Sequence, residues 1–71
     1  MSEAVYKVVE IIGTSSESWE KAAKMAVERA SKTLRDLRVA EVVEQDLVIT
    51  AGKVEAFRTK LKVSFKYEDG N

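Results

Sequence analysis

The side chains able to do chemistry in this chain fall into two sets. One is a row of cations, Arg58, Lys60, Lys62 and Lys66, spaced two by two and interrupted only by Ser64. The other is four carboxylates, Glu10, Glu41, Glu44 and Asp46. Paired carboxylates serve as acid and base when their surroundings drive their pKa values apart, but nothing in this spacing sets their separation. The chain has no His and no Cys. That removes the commonest general base, the commonest metal ligand and every thiolate site. A nucleophile–base pair would have to use Lys or a carboxylate. Gly13-Thr14-Ser15 is too short to cradle a phosphate, and neither the P-loop pattern nor EF-hand spacing occurs. These residue types point away from an enzyme. They leave ligand binding, or a hard cation held by oxygen atoms. The plain alternative for each carboxylate is a surface pair with Lys or Arg, worth about 0–1 kcal/mol.

The elements that must position these groups are legible from periodicity. From Val54 to Tyr67 every second residue is Phe57, Thr59, Leu61, Val63, Phe65 or Tyr67, and the alternate set is Arg58, Lys60, Lys62, Ser64 and Lys66. This period-two pattern predicts one long strand with a helix on its apolar face. The cationic face is either a solvated sheet face or one turned toward an interior or a ligand. Val5 to Ile12 reads as a first strand, apolar on nearly both faces and ended by Gly13. Thr14 to Ser18 is a cluster of helix-capping residues, with Ser16 the expected N-cap. The helix is expected from about Glu17 to about Asp36, with Trp19, Ala22, Ala23, Ala26, Val27, Ala30 and Leu34 as its apolar stripe. On that stripe Trp19 is expected in the core rather than as a stacking platform for a planar ligand. Glu17–Lys21, Glu20–Lys24 and Glu28–Lys32 are favourably ordered i,i+4 pairs. Val39 to Thr50 is the second strand, joined by Ala51-Gly52 to the third in a hairpin.

The order strand–helix–strand–strand over 71 residues predicts one α+β domain spanning residues 1–71. Such a domain buries only about 60% of the surface of its unfolded chain. A 20-residue helix covers ~30 Å, whereas a strand of about 13 residues covers ~43 Å. The helix cannot cover the hairpin, so another copy of the chain is expected to cover the apolar remainder, around Phe57 or Phe65. Twelve basic and twelve acidic residues cancel, so no nucleic-acid partner is expected. No window is long and apolar enough for a membrane span, and Met1-Ser2-Glu3-Ala4 lacks the pattern of a secretory signal. The expected location is cytoplasmic, with no membrane partner.

Several segments read together resemble the dodecins. These are Val5 to Ser15, Ser18-Trp19-Glu20, Arg29 to Leu34, Glu41 to Gln45 and Leu61 to Lys66, so the resemblance runs over about residues 5 to 68. It implies a three-stranded antiparallel sheet wrapped partly around one helix, and a hollow homododecamer with two-fold and three-fold axes. It further implies non-catalytic storage: typical dodecins sequester riboflavin or FMN, in pairs near the two-fold axes, and some bind coenzyme A.

The departures fall at the flavin site. Where the family has a stacking Trp at the start of the second strand, this chain has Val39. Where the family has a Gln that reads the flavin imide edge, it has Arg58. Val has no π-face, and Arg donates but cannot accept a hydrogen bond. The altered pocket would be lined by Val39, Glu44, Gln45 and Arg58. The pattern resembles a flavin-Trp-lacking branch that includes calcium-binding members. On that resemblance Glu17 and Glu44 are candidate ligands for Ca²⁺ or Mg²⁺, because carboxylates repeated about a three-fold axis repel unless a hard cation intervenes. A shell with neither small ligand nor ion is the remaining alternative.

Overall fold

A computed structural model of the chain describes residues 4–66. The elements run β1 (Tyr6–Ser15), α1 (Trp19–Ala30), β2 (Leu37–Thr50) and β3 (Lys53–Lys66). The strands form one antiparallel sheet in the order β1-β3-β2, with the longest run of alternating residues at its centre. Tyr67, assigned to the third strand above, lies outside the described residues.

The alternation along β3 sorts the faces as expected. Thr59, Leu61 and Val63 are buried beneath α1, together with Ala22 of the helix. The Thr59 hydroxyl donates to the Trp19 carbonyl at 3.0 Å, so the polar member of this row is satisfied. Trp19 packs edge-to-face on Phe57, with ring centroids 5.1 Å apart, and its Nε1 donates to the Asp46 carbonyl at 3.1 Å. It is a packing residue that also pins β2.

The structure corrects three local expectations. Gly13 does not end β1, which continues to Ser15. A Cβ on Gly13 would lie 2.1 Å from the Ala22 carbonyl oxygen, so the glycine is the place where strand and helix touch backbone to backbone. The N-cap is Ser18 rather than Ser16: its extended backbone (φ −168°) aims its hydroxyl at the Lys21 N–H, which donates at 3.0 Å. Ser15, three residues earlier, instead accepts from the Glu17 N–H at 2.9 Å and shapes the turn. The helix also ends at Ala30, not near Asp36. The Ser31 and Thr33 hydroxyls fold back onto the Glu28 and Ala30 carbonyls, and the backbone tightens into three-residue turns there. Asp36 takes positive φ (63°) on the way into β2. Of the three helix pairs expected, Glu17–Lys21 forms at 2.9 Å.

Ser18→Ala is expected to lower stability by about 1 kcal/mol, because it leaves an orphan N–H in the first turn of a short helix. Urea unfolding measures this, and an unchanged midpoint would contradict the cap.

The twelve residues of α1 span about 18 Å, against about 46 Å for a strand of fourteen. The molecule is accordingly 52 Å long and 20 × 16 Å across. Ala51 and Gly52, both at positive φ (52° and 77°), close the hairpin well beyond the helix. The helix rests on β1 and β3 and barely meets β2. Val42, Val43, Leu47, Ile49 and Val54 therefore stay exposed, whereas Phe57, packed by Trp19, and Phe65 are half-buried, so the uncovered part lies nearer the hairpin end of β2 than expected.

Candidate functional site

The candidate site is the sheet face away from α1. Antiparallel partners share a face, and the register assembles the cations and carboxylates into cross-strand rows there. Lys62 of β3 lies between Glu10 of β1 and Glu41 of β2. Lys60 lies opposite Glu44, with Nζ 3.6 Å from the carboxylate. Arg58 lies opposite Asp46, and its Nε and Nη2 each donate to one carboxylate oxygen at 2.8 Å. The cationic strand is thus flanked by acidic ones, which settles how a neutral chain accommodates four cations on one strand face.

Arg58 and Asp46 are the tightest pair on this face. The bidentate fork holds both groups in one plane. Hydrogen bonding from Arg58 lowers the Asp46 carboxyl from its ordinary value, with the nearby charges of Arg58 and Lys60 acting in the same direction. The same contact raises Arg58, and Glu44 adds to it. Arg38 and Asp36 form a similar fork at the entry to β2, at 3.2 and 3.1 Å.

The folded Asp46 pKa is depressed, so its stabilising contribution is fully present above the unfolded carboxylate value of about 3.9. It is lost as pH falls through the folded pKa. Asp46→Asn is expected to remove that part of the acid limb, making stability less dependent on pH below about 4. Thermal melts of both proteins from neutral to acid pH measure the difference, and parallel acid limbs would contradict it.

Of the residues expected in the pocket, Val39, Glu44 and Arg58 share this outer face, opposite Ser64, Lys60 and Asp46 respectively. Gln45 pairs with Thr59 and belongs to the helix-bearing face. Val39 is 63% exposed and borders a recess of about 90 Å³, with Val27, Leu37, Arg38, Ala40 and Val63. Small-molecule sites usually hold about 300–1,000 Å³. Six residues of β3 separate Ser64 from Arg58, about 20 Å along the strand. A single subunit therefore does not bring Val39 and Arg58 to one point.

The candidate cation ligands are also apart in their pairing. Glu17 is bound to Lys21 at 2.9 Å, and Glu44 lies 3.6 Å from Lys60. Among the described residues, no three Asp, Glu, His or Cys side chains converge on a point that could hold a metal ion. No helix among them is long and apolar enough to cross a membrane.

Sequence reasoning missed Asp46 as the partner of Arg58. Counting back from a two-residue turn, with no interruption, sets Gln45 opposite Arg58. One extra residue on β3, at the irregularity between Val48 and Ile49, moves the pairing to Asp46.

Comparison with known proteins agrees with this architecture. A family model described as Dodecin matches residues 5–68. Calcium dodecin of Mycobacterium tuberculosis is 56% identical over 64 residues, covering 89% of each chain. A crystal structure of that protein, described as calcium chelating with a novel calcium-binding site, superposes with a TM-score of 0.81 at 51% identity, covering 96% of this chain and 97% of that one. Dodecin from Streptomyces coelicolor superposes with a TM-score of 0.90 at 38% identity, covering 99% of this chain and 100% of that one.

Proposed function

Because the chain belongs to the dodecin family, we propose that it is a single-domain, non-catalytic subunit of a hollow dodecameric binding shell whose flavin site has been altered. The observation that carries this reading is the Arg58–Asp46 fork. Where the family resemblance puts an amide able to donate and accept, this chain has a guanidinium already bonded twice to its own carboxylate at 2.8 Å. Val39, where the family stacks an indole, offers no ring. The 20 Å between the two positions means that any pocket using both is shared by two copies, in keeping with a ligand near a two-fold axis.

Native mass spectrometry with excess riboflavin tests the reading. The expected result is a twelve-fold assembly without riboflavin masses. Multiple riboflavin masses would mean that Val39 and Arg58 form a retuned flavin pocket. A monomer would overturn the shell.

The kinship with a calcium dodecin favours a second element of the reading, a divalent cation held by carboxylates of several copies. Glu17 and Glu44 are the candidates. Each has one Lys within its own subunit, and such exposed pairs are worth about 0–1 kcal/mol, so a divalent cation shared between copies competes with them easily. A ligand that binds only the native state raises its stability. Calcium added after chelation is therefore expected to raise the melting temperature of the native protein, and less so in Glu17→Gln or Glu44→Gln. No shift with calcium or magnesium would remove the cation.

A further inference from the structure

We infer that the groove between β1 and α1 is a binding site for a small carboxylate with an aliphatic body, its chain lying between the two elements and its head group on Arg29. The site is separate from the altered flavin position: Val39, Glu44, Gln45 and Arg58 do not line it.

The groove is open and has a volume of about 530 Å³. It lies along the β1 edge of the sheet, between Ile11 and Ile12 of the strand and Met25, Ala26 and Arg29 of the helix, with Leu34 at its end. Its size falls in the range of about 300–1,000 Å³ usual for small-molecule sites, which the recess beside Val39 does not reach. Ile12 and Met25 are 52% and 48% exposed, so both keep apolar surface that a ligand would remove from water. Among the described residues no aromatic side chain lines the groove. A planar ligand therefore has no ring to stack on. An aliphatic chain needs none, and the unbranched Met25 side chain adapts to its shape.

The head group follows from the charge. Arg29 is the one charged residue among the described residues that line the groove. Arg38 and Arg58 are each committed to an aspartate in a bidentate fork. The Arg29 guanidinium has no ion-pair partner among the described residues. Its place in the last turn of α1 suits the helix dipole and accounts for a cation there. A Lys would serve the dipole equally well, whereas the planar fork of Arg matches a carboxylate, which accepts two parallel hydrogen bonds from it. No acidic residue lines the groove to repel that anion. A phosphate would bring a charge of about −1.5 to −2, more than one guanidinium balances, so a monoanionic carboxylate is the better match. An apolar body and a single negative head complement apolar walls and a single spare cation.

Isothermal titration calorimetry of the intact protein with decanoate tests the site. The expected result is saturable binding of one decanoate per chain, far below its micelle concentration. Decyltrimethylammonium, with the same chain and the opposite charge, is expected not to bind. Arg29→Gln is expected to weaken decanoate binding roughly 10- to 100-fold, because hydrogen bonds between charged groups are lost. Met25→Glu sets a like charge on the apolar wall and is expected to abolish binding. Both positions are exposed within the subunit, so the fold is expected to survive, and circular dichroism checks that it does. Lys24→Gln removes a cation of the same helix that does not line the groove, and is expected to leave the affinity unchanged. A wild type that takes up no decanoate overturns the inference. So does one that binds the decyl cation equally well, which would mean apolar adsorption without a head-group site. Full affinity in Arg29→Gln, or equal losses in Arg29→Gln and Lys24→Gln, also overturns it. The riboflavin experiment above can turn out either way without changing this result, since the two positions share no lining residue.

Discussion

Gly13→Ala is expected to be the most damaging single-methyl change in this chain, costing about 3 kcal/mol or more, the upper end of what overpacking usually costs. The added carbon would sit 2.1 Å from the Ala22 carbonyl oxygen, 2.9 Å from its carbonyl carbon and 2.9 Å from the Ala26 Cβ. Two of these three neighbours are helix backbone, which cannot rotate away as a side-chain tip can. The helix would have to lift from β1, and Thr59, Leu61 and Val63 beneath it would lose their cover. A domain this small has little stability in reserve. Gly52→Ala is the control, because Gly52 has open space around its Cβ position but a φ of 77°. Only the left-handed backbone penalty of about 1–2 kcal/mol applies there. Urea unfolding of both variants should give a clearly lower midpoint for Gly13→Ala. Equal midpoints would mean that α1 does not press on β1 at this point.

Introducing the two groups that the family resemblance places at positions 39 and 58 is expected to produce the largest change in ligand binding. Val39→Trp combined with Arg58→Gln puts a stacking ring and an amide at the positions where the resemblance to the family has them. One base–aromatic stack is worth about 1–3 kcal/mol, so the Trp alone should raise riboflavin affinity roughly 5- to 150-fold. The Gln also releases the fork that now occupies Arg58, and it offers an acceptor as well as donors. Asp46 would lose its partner, at little cost in stability because the pair is about half exposed, 43% and 46%. Quenching of riboflavin fluorescence measures the gain, with Val39→Trp and Arg58→Gln alone completing the cycle. An assembled double variant that quenches no more than the wild type would show that these two positions do not govern flavin binding in this chain.

The faces of the sheet were legible without a structure. The cations of β3 and its apolar row alternate strictly, and alternation is a local property of an extended backbone. The hairpin at Ala51-Gly52, the stripe on α1 and the mismatch between helix and strand lengths follow from equally local rules. The shorter helix observed makes the overhang greater than expected. The resemblance carried by Val5 to Ser15 and by Leu61 to Lys66 led to the family, since whole segments matched rather than single residues.

Which residues meet was decided by contacts between distant parts of the chain. Ser16 and Ser18 are equally good caps by type. Ser18 is selected because Gly13 lets β1 run on to Ser15 against the helix, which sets where the chain must turn. The helix stops at Ala30 rather than near Asp36 because Ser31 and Thr33 spend their hydroxyls on carbonyls, a competition that residue propensity does not resolve. Above all, the partner of Arg58 depends on register. Irregularities at Val48/Ile49, Val42/Glu44 and Leu37/Val39 each shift the pairing by one residue, because a bulge sets two residues of one strand against one of its partner. The sequence by itself determined the faces, the hairpin and the family. The tertiary structure decided that Arg58 faces Asp46, that Gln45 lies on the other side of the sheet, and that Val39 and Arg58 cannot meet within one subunit, because those outcomes depend on the register of β2 on β3, which irregularities in the ladder shift.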